Sequence, residues 1–328
     1  MATCRQLVED LISSYHDLNS DVVSEIEAEP SALEFMRYVA KNRPFVVRKG
    51  ITHWKALQYW NADYLIKKMK NETIKVAITP YGNADSVIVD TGSGVQYFVK
   101  PLEEDEPFNC FLKSVSAQEH GKESNPNVKY GQTQNDNLRG EYESLFQDVE
   151  PDIAWARIAF GYKPEAINLW IGNSRSITAL HKDNYENIYC QIIGSKQFVL
   201  LPPVEASCVN EKLLPSAKYM WKSDDMDEGQ LKMVLAGEGE GLTPFATWDP
   251  DLPHKNSTSF SALSKPLRVD LGPGDMLYLP AMWYHKVSQK CGSEGICCAV
   301  NYWYDMEFSG HFYSSATFIH DVGNAAAK

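Results

Sequence analysis

Residues 178–201 read TALHKDNYENIYCQIIGSKQFVLL, and this stretch decides the predicted fold. Two mainly apolar runs flank Gly194 and Ser195, and a glycine at the first central position of a two-residue turn is typical of a type II′ β-hairpin. Side chains alternate between the faces of a strand, so the hairpin places Lys196 on the same face as Tyr189. A lysine on a mostly apolar face has two interpretations. It is either a solvated turn residue with a snorkelling stem or the anchor for a carboxylate of a bound small molecule.

A second feature of this stretch is the motif His181-x-Asp183, the only His-x-Asp in the chain. Residues two apart in a strand point the same way, so an imidazole nitrogen and a carboxylate oxygen can face one ion. The candidate third ligand is His285, which follows a second apolar strand. Two histidines and one carboxylate form the facial triad that leaves positions open on Fe(II). A lone His-x-Asp is a weak signal, and it gains weight here from the hairpin, the lysine and the distal histidine.

The spacing of these residues resembles that of the Jumonji-C family of Fe(II)- and 2-oxoglutarate-dependent oxygenases. The matching positions are Thr-x-x-His-x-Asp over 178–183, then Asn187 and Lys196, then Trp-Tyr-His over 283–285 and AVNYWY over 299–304. The likeness covers most of residues 40 to 310. It is strongest to the small single-domain hydroxylases related to the asparaginyl hydroxylase of hypoxia-inducible factor.

The fold expected from the strand pattern and from this resemblance is mainly β. Many short strands without βαβ alternation favour a double-stranded β-helix of the cupin or jelly-roll type, with N-terminal helices and a C-terminal helix around it. We expect residues 1–127 to be a helical and β lead-in packed on the core. Residues 128–308 are then the JmjC double-stranded β-helix with an insertion at 202–265, and residues 309–328 a helical tail.

Within the lead-in, apolar spacing and capping residues predict helices, alternation predicts strands, and charge predicts one linker. The predicted helices are 4–18, 30–42, 61–70 and 107–118, the predicted strands include 45–48, 73–79 and 86–89, and the acidic linker is 101–106.

The resemblance also implies which residues bind iron and the cosubstrate. The implied metal ligands are His181, Asp183 and His285. Lys196, Thr178 and Tyr130 would contact the distal carboxylate of 2-oxoglutarate, although a strand tyrosine is as often a packing residue. Further residues implied around the metal and cosubstrate are Asn187, Asn301 and Trp303.

Thr178 does not fit simple strand alternation. In a straight strand it would lie on the face opposite His181, yet the implied role requires both side chains in one pocket. Either the strand contains a bulge between the two residues or the strand ends early.

The activity implied by the resemblance is hydroxylation of a protein substrate, with consumption of O2 and 2-oxoglutarate and release of succinate and CO2. The substrate implied is the C-3 position of a lysine in a GTP-binding protein, of the developmentally regulated class. Two alternatives remain open, namely histone N-methyl-lysine demethylation and a peptidase activity on methylated histone tails. A non-catalytic jelly-roll binding module is a further alternative, and it would be expected to lack part of the triad.

Composition limits the class of partner and the compartment. The chain has 31 Lys and Arg against 43 Asp and Glu, a formal net charge of −12, which argues against direct nucleic-acid binding. Its seven cysteines contain no Cys-x-x-Cys, which favours a reducing compartment, cytoplasmic or also nuclear. No signal-peptide pattern or long apolar run is present, so we expect no membrane association. By analogy, the terminal helices are candidates for a homodimer interface.

Overall fold

The computed structural model describes residues 2–123, 125–222, 230–237, 239 and 241–327. Parts of the predicted insertion, residues 223–229, 238 and 240, therefore lie outside the described residues, as do residues 1, 124 and 328.

The described residues form eight α-helices, most of them in the first half of the chain. They are α1 (Cys4–Leu18), α2 (Ala32–Lys41), α3 (Lys55–Tyr59), α4 (Ala62–Lys68), α5 (Phe108–Glu119), α6 (Glu143–Phe146), α7 (Ala154–Phe160) and α8 (Phe312–Ala327). Their starts follow from local chemistry. Ser31 and Glu34 form a reciprocal capping box at α2, and Asn61 accepts a hydrogen bond from the Tyr64 amide at the start of α4. Among the described helices, none has both the length and the apolar character to cross a bilayer.

The strands lie in two groups, before and within the core. The first group is β1 (Ser24–Ile26), β2 (Phe45–Val47), β3 (Thr73–Thr79), β4 (Ser86–Val89), β5 (Gln96–Lys100), β6 (Leu102–Pro107) and β7 (Val128–Tyr130). The second is β8 (Ala166–Gly172), β9 (Thr178–His181), β10 (Tyr185–Ile193), β11 (Ser195–Leu201), β12 (Glu211–Leu214), β13 (Ser216–Trp221), β14 (Leu231–Leu235), β15 (Thr243–Ala246), β16 (Leu267–Leu271), β17 (Met276–Leu279), β18 (Tyr284–Lys290) and β19 (Cys297–Asp305).

Two sheets form the core. The larger has the strand order β1-β2-β17-β10-β19-β8 and the smaller the order β16-β11-β18-β9. One buried cluster takes Tyr189 and Trp303 from the larger sheet and Phe198 and Val287 from the smaller. Apolar side chains of both sheets thus interdigitate in one layer. This double-sheet architecture, with helices at both ends of the chain, confirms the predicted cupin-like fold.

A second buried cluster covers the outer side of the larger sheet. Phe35 of α2 lies at its centre, with ring centroids 4.6 Å from Trp155 of α7 and 4.9 Å from Tyr278 of β17. These edge-to-face contacts join the N-terminal helices to the sheet, since aromatic rings prefer this arrangement. One face of the larger sheet is therefore closed by helices, and the other faces the smaller sheet.

The predicted hairpin at Gly194 and Ser195 is wrong. β10 pairs with β17 and β19, whereas β11 pairs with β16 and β18 in the other sheet. Gly194 has φ +71° and turns the chain from one sheet to the other. Side chains alternate between the two faces of a strand whether the preceding turn is a hairpin or a corner between sheets. The predicted face of Lys196 is therefore correct. That lysine is only 2 % exposed and points between the sheets with Phe198 and Leu200.

The predicted acidic linker at 101–106 is also wrong. Residues Leu102–Pro107 form β6, which pairs antiparallel with β3. The charges do not prevent a strand because alternate residues face solvent and the inner carboxylates have partners. Lys129 Nζ lies 2.8 Å from Glu106 Oε2, and Trp221 Nε1 donates to Glu104 Oε1 at 2.6 Å.

The predicted insertion contributes strands that join the lead-in. β13 and β14, both from residues 202–265, share a four-stranded sheet with β5 and β4. β12 and β15 form a separate two-stranded sheet. At the other end, α8 packs with α1 around Val8, Ile12 and Cys208. The domain boundaries and the homodimer stay predictions.

Candidate metal centre

Strand pairing brings the three predicted metal ligands together. His181 ends β9 and lies directly across from His285 of β18, with ring centroids 4.1 Å apart. Asp183 follows β9, and its Oδ2 lies 3.6 Å from His181 Nε2 and 3.7 Å from His285 Nε2. One ligand atom from each residue falls within 4.8 Å of the others. Three donors at these separations can face one ion.

Backbone carbonyls orient both imidazoles. The Nδ1–H of His181 donates to the Ala179 carbonyl at 2.8 Å, and that of His285 to the Trp283 carbonyl at 3.1 Å. Each ring therefore turns its Nε2 towards Asp183. A hydrogen bond from the other ring nitrogen to a backbone carbonyl is a usual contact of metal-binding histidines. In both cases the carbonyl belongs to the residue two positions earlier in the chain, so the orientation is local.

The charges in the cluster match a cation site. Burial raises the pKa of Asp183, but the His181 and His285 imidazoles outweigh it and hold the pKa at about 2. Burial and the neighbouring His181 lower the pKa of His285 to about 4. Burial opposes protonation of His181 too, yet the Asp183 carboxylate raises its pKa. An ionised carboxylate between imidazoles is the donor set that Fe(II) takes in facial triads, so these residues fit that ion.

A bulge places Thr178 beside the triad. His181 is opposite His285 and Thr178 is opposite Val287, so three steps along β9 match two along β18. The extra residue returns Thr178 to the inner face, where it lines one pocket with His181 and Asp183. Of the two explanations left open by the sequence, the bulge is confirmed.

Lys196 and Tyr130 meet at the predicted cosubstrate pocket. Lys196 Nζ donates to Tyr130 Oη at 2.9 Å and lies 5.5 Å from the ring centres of Tyr130 and Tyr189. Both tyrosines line the pocket that reaches the triad. In the part of the chain that is described, no carboxylate lies within 4.0 Å of this ammonium group. A buried cation of this kind fits a site for a carboxylate ligand.

The remaining predicted residues line the same pocket. Asn301 donates from Nδ2 to Asn187 Oδ1 at 3.0 Å and accepts from Trp170 Nε1 at 2.8 Å. Trp303 stacks on Tyr185 with ring centroids 4.8 Å apart, and its buried Nε1–H has no protein acceptor among the described residues. All nine predicted site residues thus lie at or next to one pocket, while their individual roles stay predictions.

Sequence reasoning missed the outer cleft that leads to the triad. The cleft has a volume of about 830 Å³, and its walls include Asp85, Gln132 and Phe245. It also includes Lys182, whose Nζ lies 3.0 Å from both Glu211 and Tyr284. These residues come from separate segments of the chain, so no local spacing could have grouped them. The one available signal was the position of Lys182 inside His-x-Asp.

Comparisons with known proteins agree with this geometry. A family model described as a cupin-like domain matches residues 30–310. Lysine-specific demethylase JMJ32 of Arabidopsis thaliana is 38% identical over 295 residues, covering 87% of this chain and 82% of that protein. Bifunctional peptidase and (3S)-lysyl hydroxylase JMJD7 of Homo sapiens is 36% identical over 287 residues, covering 87% and 85%. JmjC domain-containing protein E of Dictyostelium discoideum is 31% identical over 336 residues, covering 92% of each. The chain therefore belongs to the cupin-like JmjC-domain family of 2-oxoglutarate-dependent oxygenases.

Proposed function

We propose that this protein is a lysyl hydroxylase that acts on a lysine of another protein, with Fe(II) as its metal and 2-oxoglutarate as its cosubstrate. The observation that carries the proposal is the buried ammonium group of Lys196, which has no carboxylate within 4.0 Å among the described residues and donates to Tyr130, a residue that lines the pocket of the triad. A buried charge is costly unless it is paired, so this position favours a carboxylate-bearing cosubstrate.

Each predicted residue has a task in this proposal. His181 and His285, through Nε2, and Asp183, through Oδ2, would hold Fe(II), which when bound supplies the redox chemistry of O2 activation. Lys196 would pair with the distal carboxylate of 2-oxoglutarate, with hydrogen bonds from Tyr130 and Thr178. The Asn187–Asn301 pair and Trp303 would orient groups around the metal. The fixed orientation of both imidazoles keeps the three ligands ready for the ion.

The choice of a lysine C-3 position rests on likeness, and the names of the relatives point in two directions. The human relative is named a bifunctional peptidase and (3S)-lysyl hydroxylase, and the Arabidopsis relative a lysine-specific demethylase. Demethylation of N-methyl-lysine is thus the second candidate, because hydroxylation of an N-methyl carbon releases formaldehyde. Both reactions use the same iron and cosubstrate. Peptidase activity on methylated histone tails is the third, and it would not require succinate formation.

The partner proposed from the family resemblance is a GTP-binding protein of the developmentally regulated class. Its lysine-containing peptides, unmodified and N-methylated, are the first substrates to test. Histone-tail peptides with methylated lysines test the two alternatives, demethylation and peptidase activity.

The test begins with anaerobic titration of Fe(II) and 2-oxoglutarate, followed by admission of O2 and mass spectrometry of the peptides. Hydroxylation is expected to add one oxygen atom to the unmodified peptide, together with one succinate per turnover. Loss of one methyl group from the methylated peptide, with formaldehyde, would replace the proposal by demethylation. Cleaved peptide without succinate would contradict both.

Two variants make the test specific. His181→Ala is expected to lose iron binding and turnover, because it removes one of three ligands. His254→Ala is the matched control, since that histidine is exposed and lies outside the pocket. Equal activity of the His181→Ala protein would contradict the proposed metal site.

A further inference from the structure

The outer cleft has the lining expected for a long side chain. It is open to solvent, and His181 and Asp183 are among the residues that line it. Aromatic side chains, Phe98, Phe245 and Phe308 among them, contribute apolar surface to its walls. An alkyl chain gains from contact with such rings because both are removed from water.

Asp85 is an acidic side chain of this cleft with a defined position. It is half-buried, and its Oδ2 accepts a hydrogen bond from Gln132 Nε2 at 3.1 Å. Its backbone has φ +51°, an uncommon conformation outside glycine that aspartate tolerates. Asp85 and His181 line the same cleft. The carboxylate is therefore fixed in direction and lies near the metal centre.

The loop that carries Asp85 is fastened to the strand that carries the triad. The Ile177 amide, directly before β9, donates to the Gly82 carbonyl at 2.8 Å. The Gly82 amide in turn donates to Thr79 Oγ1 at 2.9 Å, at the end of β3. Hydrogen bonds thus tie the loop at 80–85 to both neighbouring strands. These hydrogen bonds therefore hold Asp85 in a defined position relative to His181.

The lysines that line the cleft already have acidic partners, whereas Asp85 forms no ion pair with a basic side chain among the described residues. Lys182 Nζ lies 3.0 Å from Glu211 Oε2, and Lys75 Nζ lies 3.5 Å from Asp105 Oδ1. Within the described ranges, no lysine, arginine or histidine nitrogen lies within 4.0 Å of the Asp85 carboxylate. Burial raises the pKa of Asp85, and the Gln132 hydrogen bond only partly offsets it. A partly buried carboxylate that forms no ion pair is stabilised when a ligand supplies a cation.

We infer that Asp85 is the residue that selects a cationic substrate side chain, pairing with its ammonium group while the aromatic walls of the cleft contact its methylene stem. The inference rests on the proposed function and gives it a substrate class, a primary or N-methylated ammonium on an alkyl chain. It holds for hydroxylation and for demethylation alike, since both substrates carry this charge.

The test measures peptide binding without turnover. The protein is loaded with Mn(II) and 2-oxoglutarate, and fluorescence anisotropy compares two pools of random short peptides whose central residue is lysine or norleucine. Norleucine keeps the alkyl stem and lacks the ammonium group. The natural protein is expected to prefer the lysine pool, and Asp85→Asn to reduce this preference by about 30-fold or more, as for one partner of a partly buried charge pair. Affinity for the norleucine pool should be unchanged, because the stem contacts remain.

Asp270→Asn is the matched control, the same change on an exposed strand position outside the cleft. Equal binding of the two pools by the natural protein would overturn the inference, and so would a lysine preference that survives in Asp85→Asn. Anaerobic 2-oxoglutarate titration separates the two hypotheses. If the natural protein fails to bind the cosubstrate, the proposed function fails. If it binds normally but shows no lysine preference that depends on Asp85, only this inference fails.

Discussion

The ammonium group of Lys196 lies 2.9 Å from the phenol oxygen of Tyr130, at a position where only 2 % of the lysine is exposed. The two residues come from β11 and β7, which belong to different sheets. The contact leaves a positive charge inside the protein with a neutral partner. If Lys196 binds the cosubstrate as proposed, the energy needed to bury that charge is recovered when the anion binds, and the pair links the stability of the free protein to cosubstrate affinity.

Replacing Lys196 by methionine should therefore have opposite effects on stability and binding. We expect 2-oxoglutarate affinity to fall by about 100-fold, since one partner of a buried charge pair is removed. Thermal stability without ligand should be unchanged or higher, because a buried charge becomes an apolar chain of similar length. Isothermal titration and differential scanning calorimetry measure the two effects. Lys232→Met, at an exposed position of β14, is the control, and loss of stability without loss of affinity in Lys196→Met would contradict the role.

Tyr130→Phe tests the hydrogen bond separately from the ring. The ring that lies 5.5 Å from Lys196 Nζ remains, and only the hydroxyl is lost. We expect 2-oxoglutarate affinity to fall by about 10- to 100-fold, the range for one hydrogen bond to a charged group. Tyr219→Phe, which removes a buried hydroxyl outside the pocket, provides the comparison in the same titration. An equal affinity for natural protein and Tyr130→Phe would assign Tyr130 to packing alone.

Asp183→Asn should remove iron affinity while preserving the fold. The carboxylate supplies the one anionic ligand of the triad, and an amide of the same size cannot replace its charge. We expect Fe(II) affinity to fall by more than about 100-fold. This exceeds the loss that is usual when a residue that only hydrogen-bonds to a metal ligand is replaced. Equilibrium dialysis with metal analysis measures the loss, and circular dichroism checks the fold. Removal of iron from the natural protein with a chelator should stop turnover in the same way.

The His320–Glu211 pair predicts a pH-dependent attachment of α8. His320 Nε2 lies 2.8 Å from Glu211 Oε1, and this hydrogen bond raises the pKa of His320 despite partial burial. Asp321, whose Oδ1 lies 2.9 Å from His320 Nδ1, also raises the pKa of His320, whereas Lys182 lowers it. Burial raises the pKa of Glu211, but His320 and Lys182 hold it at about 2.

The pH dependence of stability follows from these two pKa shifts. Stabilisation from protonated His320 is complete below its unfolded pKa of 6.5 and is lost as the pH rises through the raised folded value. Stabilisation from Glu211 is complete above its unfolded pKa of 4.5 and is lost progressively as the pH falls through its folded pKa of about 2. The pair should therefore stabilise α8 most between pH 4.5 and pH 6.5, the unfolded pKa values of Glu211 and His320. We expect His320→Gln to cost about 1 kcal/mol near pH 6 and less near pH 9, after allowance for partial exposure. Hydrogen exchange of α8 amides at the two pH values measures this, and a cost that does not change with pH would contradict the ion pair.

Gly82→Ala should disturb the loop that ties β3 to β9. Gly82 has φ +78°, and an added Cβ would meet the Arg175 carbonyl oxygen at 1.9 Å. We expect a loss of about 2 kcal/mol or more in the free energy of unfolding, from the strained conformation and the clash together. Gly94→Ala separates the two causes, because that glycine has φ +72° with no atom within 4 Å of the added Cβ. Urea denaturation of both variants measures the difference, and equal losses would exclude the clash.

The sequence by itself determined which residues make up the candidate metal centre. His181, Asp183 and His285 were identifiable from their types and spacing, and alternation placed Lys196 on the same face as Tyr189 but left its burial open. Helix ends followed from Ser31 and Asn61 in the same way. These features depend on residues close together in the chain, where side-chain direction and capping are set locally.

Only the tertiary structure decided which strands pair and which distant segments meet. Backbone hydrogen bonding is nearly independent of side-chain identity, so the same alternation around Gly194 fits a hairpin and a corner between sheets. The bulge that brings Thr178 to His181 depends on the register of β9 against β18. The strand at 102–107 depends on partners supplied by β3, Lys129 and Trp221. The approach of Asp85 to His181 depends on backbone contacts between segments almost 100 residues apart, which no local pattern encodes.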